Sequence, residues 1–179
     1  MAIESSQIQK LYIAYFGRPA DPSGVDYWLS NSSKDTKIGD ISYAFYLQNE
    51  YKKSVVFDKP IDFQINQFYM NLFARKADFE VIKQWLELVE KGSHRISDLV
   101  CDLISSRSYE KSNNSIQLTK DFETLNSKLI AANLFTAEVA SSTSWINLYQ
   151  PESIDPWKIG KALNIGITFL SQFDNEKTA

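Results

Sequence analysis

The sequence predicts an all-α protein, with two similar three-helix repeats packed together and a helical carboxy-terminal element after them. Three observations carry this expectation. Apolar residues recur at the 3.6-residue helical period along most of the chain. Glycine and proline are scarce, six and five in 179 residues, too few for the turns of a sandwich or barrel. One segment also occurs twice, which points to a duplicated structural unit.

In the first copy Ile8, Leu11, Tyr12, Tyr15 and Phe16 form an apolar stripe at helical spacing. Gly17 follows where helices close in the left-handed conformation. Asp21 and Pro22 then read as an N-cap and a first-turn proline, whose missing N–H costs nothing there. The helix they start buries Val25, Trp28 and Leu29, and a third carries Ile38, Ile41 and Phe45. Residues 55–64, VVFDKPIDFQ, form a link.

The second copy starts at Ile65 and runs through Phe68, Tyr69, Leu72 and Phe73, with Ala74 in place of the glycine, so a different closure is expected. Asp78 repeats the cap. Ile82, Trp85, Leu86 and Val89 mark its second helix, and Ile96, Leu99, Val100, Leu103 and Ile104 its third. Residues 8–29 align without gaps with 65–86, matching Ile8/Ile65, Tyr12/Tyr69, Phe16/Phe73, Arg18/Arg75, Ala20/Ala77, Asp21/Asp78, Trp28/Trp85 and Leu29/Leu86. Residues 37–51 align with 95–109 through Ile38/Ile96, Asp40/Asp98 and Tyr51/Tyr109. The polar stretch 111–117 ends this copy. Further helices are expected through Phe122, Leu125, Leu129 and Ala132, and through Ile159, Leu163, Ile167 and Leu170, before a polar tail. The chain thus divides into 1–54, 55–114 and a closing element 115–179, within one compact domain.

The net charge of −3, the pI near 5.2 and the absence of a Lys/Arg run argue against nucleic acid as a partner. Cys101 is the only cysteine; no intramolecular disulfide can form, and its neighbours Leu99, Val100, Leu103 and Ile104 suggest a buried thiol. The amino terminus lacks a basic leader and a cleavage site, and no stretch is apolar enough to span a membrane. A cytoplasmic protein, or one exported with its amino terminus uncut, is expected.

Catalytic signatures are scarce. His94 is the single histidine, in a turn expected to be exposed, and neither a nucleophile elbow nor a phosphate-cradling loop is present. A carboxylate-pair glycan hydrolase is the one enzyme class the residues leave open. Asp21, Asp26 and Asp58 could join a loose oxygen site for calcium, or simply cap and solvate. The pairs Arg18/Asp21 and Arg75/Asp78 read as braces of the interhelical turns, and Trp28 and Trp85 as equivalent core residues. Trp157 and Tyr149 stand among Asn147, Gln150, Glu152 and Asp155. Flat rings beside amides and carboxylates can stack on sugars and bond their hydroxyls, making Trp157, Tyr149, Asn147 and Asp155 the candidate glycan site. A hydrophobic staple about that turn explains the same residues.

Leu11, Tyr12, Phe16, Gly17, Arg18, Ala20, Asp21, Gly24, Tyr27 and Trp28 form a run that resembles the domain-of-unknown-function family number 4214. The second copy keeps Tyr69, Phe73, Arg75, Ala77, Asp78 and Trp85 but neither glycine, and residues 125–139 are similar to the closing helices of such domains. The resemblance implies a non-catalytic anchoring domain of a secreted surface-layer or repeat-in-toxin exoprotein. Its expected partners are lipopolysaccharide O-chain and neighbouring copies in an extracellular array, with calcium as an optional cofactor. Export through a type I system would leave the amino terminus uncut. This chain carries no glycine/aspartate calcium repeats, and the shared motif transfers no binding residue.

Overall fold

The structure, a computed structural model, describes residues 2–105, 116–151 and 161–173. Among these there are ten helices and no strand: α1 (Ser5–Phe16), α2 (Pro22–Ser30), α3 (Ile38–Tyr46), α4 (Asn49–Lys52), α5 (Ile61–Phe73), α6 (Phe79–Glu90), α7 (Ile96–Ile104), α8 (Ile116–Ala140), α9 (Thr143–Leu148) and α10 (Lys161–Leu170).

The α1 stripe is wider than its spacing implies. Ile13 and Ala14 lie outside it, yet both are fully buried, as are Ile8 and Leu11. A helix apolar nearly all round must be enclosed, and α1 touches α2, α3, α5, α7 and α8. Each of Ile8, Leu11 and Ile13 contributes about 1.5–3 kcal/mol by leaving water. The aromatic rings of Tyr15, Phe45, Tyr51 and Phe68 meet beside α1, Tyr15 contacting the other three edge-on or tilted at 5.2 to 5.8 Å. One continuous core therefore runs from α1 through α7 into α8 and Leu170 of α10.

Lysines from the middle of two helices tie these layers together, donating to carbonyls in the last turns of neighbouring helices. Lys128 of α8 is buried and donates to Asn71 O at 3.0 Å and Met70 O at 3.4 Å, near the end of α5. Lys10 of α1 donates to Ile104 O at the end of α7, 3.3 Å away. Asp40 and Asp98, matched in sequence, each accept from the backbone N–H at the start of their helix, Lys37 at 3.4 Å and Arg95 at 2.8 Å.

Helix α1 closes at Gly17, whose φ is 62°, with its N–H on Ile13 O at 2.9 Å. Ala74 closes α5 in the same way, at φ 57° and 3.0 Å from Met70 O. The different closure expected at Ala74 is thus not found. Enclosure of α5 by α1 and α8 outweighs the left-handed strain of an L residue, about 1 kcal/mol. Ala74→Gly is accordingly expected to stabilise the protein by about 0.5–1 kcal/mol, after the entropy glycine adds to the unfolded chain. A raised urea midpoint at unchanged slope checks it.

The third segment of the first copy is two helices. It breaks after Tyr46, where Gln48 is extended with ψ 145°, and restarts as the single turn α4. That break fixes where Glu50 points.

Candidate functional site

Because Gly17 turns the chain sharply at the end of α1, Arg18 passes into the interior and is fully buried. All five of its N–H donors are used. Nε and Nη2 grip Glu50 of α4 at 2.7 and 2.8 Å, Nη1 and Nη2 both reach Asp21 Oδ1 at 3.2 Å, and Nη1 donates to Pro19 O at 2.9 Å. Tyr12, Phe16 and Tyr149 lie 4.9, 5.6 and 5.7 Å from the guanidinium carbon. Burial alone would lower the pKa of Arg18; Glu50 and Asp21 more than reverse that, so it stays charged. Asp21 works twice, since its Oδ2 caps α2 through Gly24 N–H at 2.9 Å and accepts from Ser23 Oγ at 3.0 Å.

Arg75 makes a similar corner with a different partner. Its Nε and Nη2 hold Asp121 of α8 at 2.8 and 2.6 Å, and Nη1 reaches Lys76 O at 2.9 Å and Asp78 Oδ2 at 3.3 Å. The expected cap is corrected here: Asp78 stands at the N-cap of α6, but its side chain makes no cap hydrogen bond. The Asp78 side chain is 65% exposed and that of Arg75 21%. Tyr69 packs over Arg75 at 5.2 Å, and burial pushes its hydroxyl up to about 12. Both corners also pin the alanine before the aspartate, Gln9 Oε1 accepting from Ala20 N–H and Asn66 Oδ1 from Ala77 N–H at 3.1 Å each.

Around the first corner lies an open cleft of about 450 Å³ between α1, α2 and the α3–α4 break. Among the described residues, five aromatics line it, Tyr12, Phe16, Tyr27, Trp28 and Phe45, with Pro151 at its edge, and the polar ones are Asp21, Ser23, Gln48, Asn49 and Glu50. Trp28 packs on Phe45 at 4.9 Å and meets Tyr27 edge-on at 5.3 Å. Trp28 is only half-buried and Tyr27 is 58% exposed. The expectation that Trp28 and Trp85 occupy equivalent buried places is therefore corrected. Trp85 is 7% exposed, with His94 edge-on at 5.7 Å, whereas Trp28 lines open space. His94 itself is exposed.

The residues expected to bind glycan divide. Tyr149 is 2% exposed, packs on Phe135 at 4.9 Å and donates its hydroxyl to Pro19 O at 2.8 Å. Its ring is closed off from a sugar, a correction to its expected role, and burial holds its hydroxyl well above the usual tyrosine range. Asn147 is exposed. Trp157, Asp155 and Glu152 lie outside the described residues. Asp26 and Asp58 are exposed, and among the described residues no three His, Cys, Asp or Glu side chains group to hold a metal. Cys101 is partly covered, and burial raises its thiol pKa. Among the described residues no helix is long and apolar enough to cross a membrane.

Glu50 and Asp121, the strongest partners of the two arginines, were not read from the sequence. Ser108 stands opposite Glu50 in the repeat alignment, so identity gave no pointer. Asp121 did carry one, falling on the α8 face with Thr124, Leu125, Lys128 and Ala132, all buried. No family model matches the chain, and no curated protein or solved structure matches it.

Proposed function

We propose that the chain is a non-catalytic module that binds cell-surface polysaccharide, with the cleft beside Arg18 as its site. The supporting observation is the cleft's lining: an exposed tyrosine and a partly buried tryptophan beside carboxylates and amides, in a volume suited to a small ligand. Ring faces of this kind stack on the apolar faces of sugars, while Gln48, Asn49 and Ser23 can bond hydroxyls. The family resemblance supports the wider reading, an extracellular anchor that holds a surface layer on lipopolysaccharide O-chain. One such site is weak, and an array supplies avidity.

The two arginine corners support descent of 1–54 and 55–114 from one helical unit. In this reading the first copy kept its tryptophan open for a ligand and the second closed over Trp85. Asp21 favours binding over hydrolysis, because a hydrolase needs two free carboxyl groups and this one is fully engaged. Asp21 Oδ1 takes two donors from Arg18 and Oδ2 takes Gly24 and Ser23, which leaves no acceptor site for a reacting group. Leu134, Trp145 and Leu148, 68, 48 and 60% exposed, favour the alternative, a protein-contact module within an array.

Purified lipopolysaccharide with intact O-chain, titrated with and without calcium, tests the proposal. Trp28→Ala is expected to weaken binding at least tenfold and to cost about 2–3 kcal/mol of stability, somewhat less than a fully buried tryptophan, because the ring is partly buried against Phe45. Circular dichroism monitors the fold. Undiminished binding by a folded Trp28→Ala protein would exclude this cleft; no binding by the unaltered chain would exclude the glycan reading and favour array contact.

A further inference from the structure

We infer that the cleft prefers a sugar carrying a free amine, a protonated hexosamine, over its N-acetylated or uronic acid counterparts. The inference rests on the glycan reading and concerns the charge of the ligand. At the first corner one guanidinium faces two carboxylates, and both are buried, Asp21 3% exposed and Glu50 9%. Their formal sum is one negative charge. At the second corner the corresponding excess is carried by Asp78, whose side chain is 65% exposed and solvated by water. The first corner has no such outlet and lines a cleft.

Among the described residues lining that cleft none is a lysine, arginine or histidine; the charged ones are Asp21 and Glu50. Arg18 is sealed behind them, fully buried. The rings of Trp28 and Tyr27 add the negative potential that attracts cations. Acceptor capacity points the same way. Among the described residues each Glu50 oxygen accepts one hydrogen bond, from Arg18, and a carboxylate oxygen has room for a second. An ammonium group donates three hydrogen bonds and carries the compensating charge. An acetamide brings a single donor and no charge, and a uronate brings repulsion.

The test uses the full chain and three tetrasaccharides at mildly acidic pH: chitosan tetraose, chitin tetraose and tetragalacturonate. Calorimetry is expected to show the amine oligomer binding about tenfold tighter than its acetylated form, with no binding of the uronate. Raising salt should shrink the preference by screening it, and Trp28→Ala should abolish it. Equal affinities for the amine and acetamide oligomers would overturn this inference and leave the glycan cleft standing. A preference that survives Trp28→Ala would place it elsewhere on the surface and overturn it as well. Lipopolysaccharide bound but no tetrasaccharide bound would remove the amine preference alone; neither bound would remove both proposals.

Discussion

Replacing Arg18 with methionine is expected to lower stability by about 3–5 kcal/mol, a large fraction of what an ordinary domain has. Methionine fills much of the arginine's volume, so the loss is not chiefly a cavity. It comes from leaving Glu50 and Asp21, 9 and 3% exposed, with their shared cation gone. Burying a charge without its partner costs far more than a surface ion pair contributes. Lysine should not rescue the site. Its ammonium has three donors against the five that Arg18 uses, and it cannot grip both Glu50 oxygens in the plane that Nε and Nη2 define. Arg75→Met provides the contrast. Arg75 is 21% exposed, Asp78 faces water and Asp121 keeps a donor in Gln117 Nε2 at 3.0 Å, so a smaller loss of roughly 1–2 kcal/mol is expected. Urea unfolding of the three variants decides the matter. A loss at Arg18 no larger than at Arg75 would show that water reaches the first corner freely, and the buried-charge argument would fall. Combining Arg18→Met with Glu50→Gln and Asp21→Asn should recover part of the loss, because the stranded charges go too.

The helices were legible because their cause is local. The stripe of α1, the glycine closing it and the Asp21 cap each depend on residues within one or two turns of each other. What was not legible depends on what arrives from elsewhere. Trp28 and Trp85 occupy the same place in the same pattern, and nothing in either helix says which will be covered. Trp85 meets His94 from the turn after α6, while the last turn of α2 ends at Ser30 and Trp28 keeps an open side. Tyr149 misled in the opposite direction. Its neighbours are Leu148 and Gln150, both exposed, and the chemistry around it reads as surface. The ring is drawn inward by Phe135, Pro19 and Gly166, all distant in sequence. The site itself was half legible. Arg18 and Asp21 were found as a turn brace, and they are one. Glu50 was missed since its partner lies 32 positions away, and the α3–α4 break that aims it carries no glycine or proline.

Gly166→Ala is expected to cost about 3 kcal/mol, against the intuition that alanine improves a helix. Gly166 lies inside α10, where alanine would gain about 1 kcal/mol on intrinsic preference. A methyl there would overlap Tyr149 Oη and come within 2.9 Å of its Cε2 and Cζ. The ring cannot swing aside cheaply. It is 2% exposed, packed on Phe135, and its hydroxyl is bonded to Pro19 O. Displacing it overpacks the interior, typically 1–3 kcal/mol, and takes the buried Tyr149 hydroxyl off its acceptor for about 1–3 kcal/mol more, while Pro19 O keeps Arg18 Nη1. Together these exceed the helix gain. Gly39→Ala is the matched control, in α3 with nothing within 4 Å of the added methyl, and should be neutral or stabilising by up to about 1 kcal/mol. A double mutant tests the mechanism directly. Tyr149→Phe removes the Oη that the methyl would overlap, so Gly166→Ala should cost less in the phenylalanine background than in the tyrosine one. Equal costs in both backgrounds would mean that the methyl strains something other than Tyr149, and the tyrosine would lose its place as the link between the closing helices and the Arg18 corner.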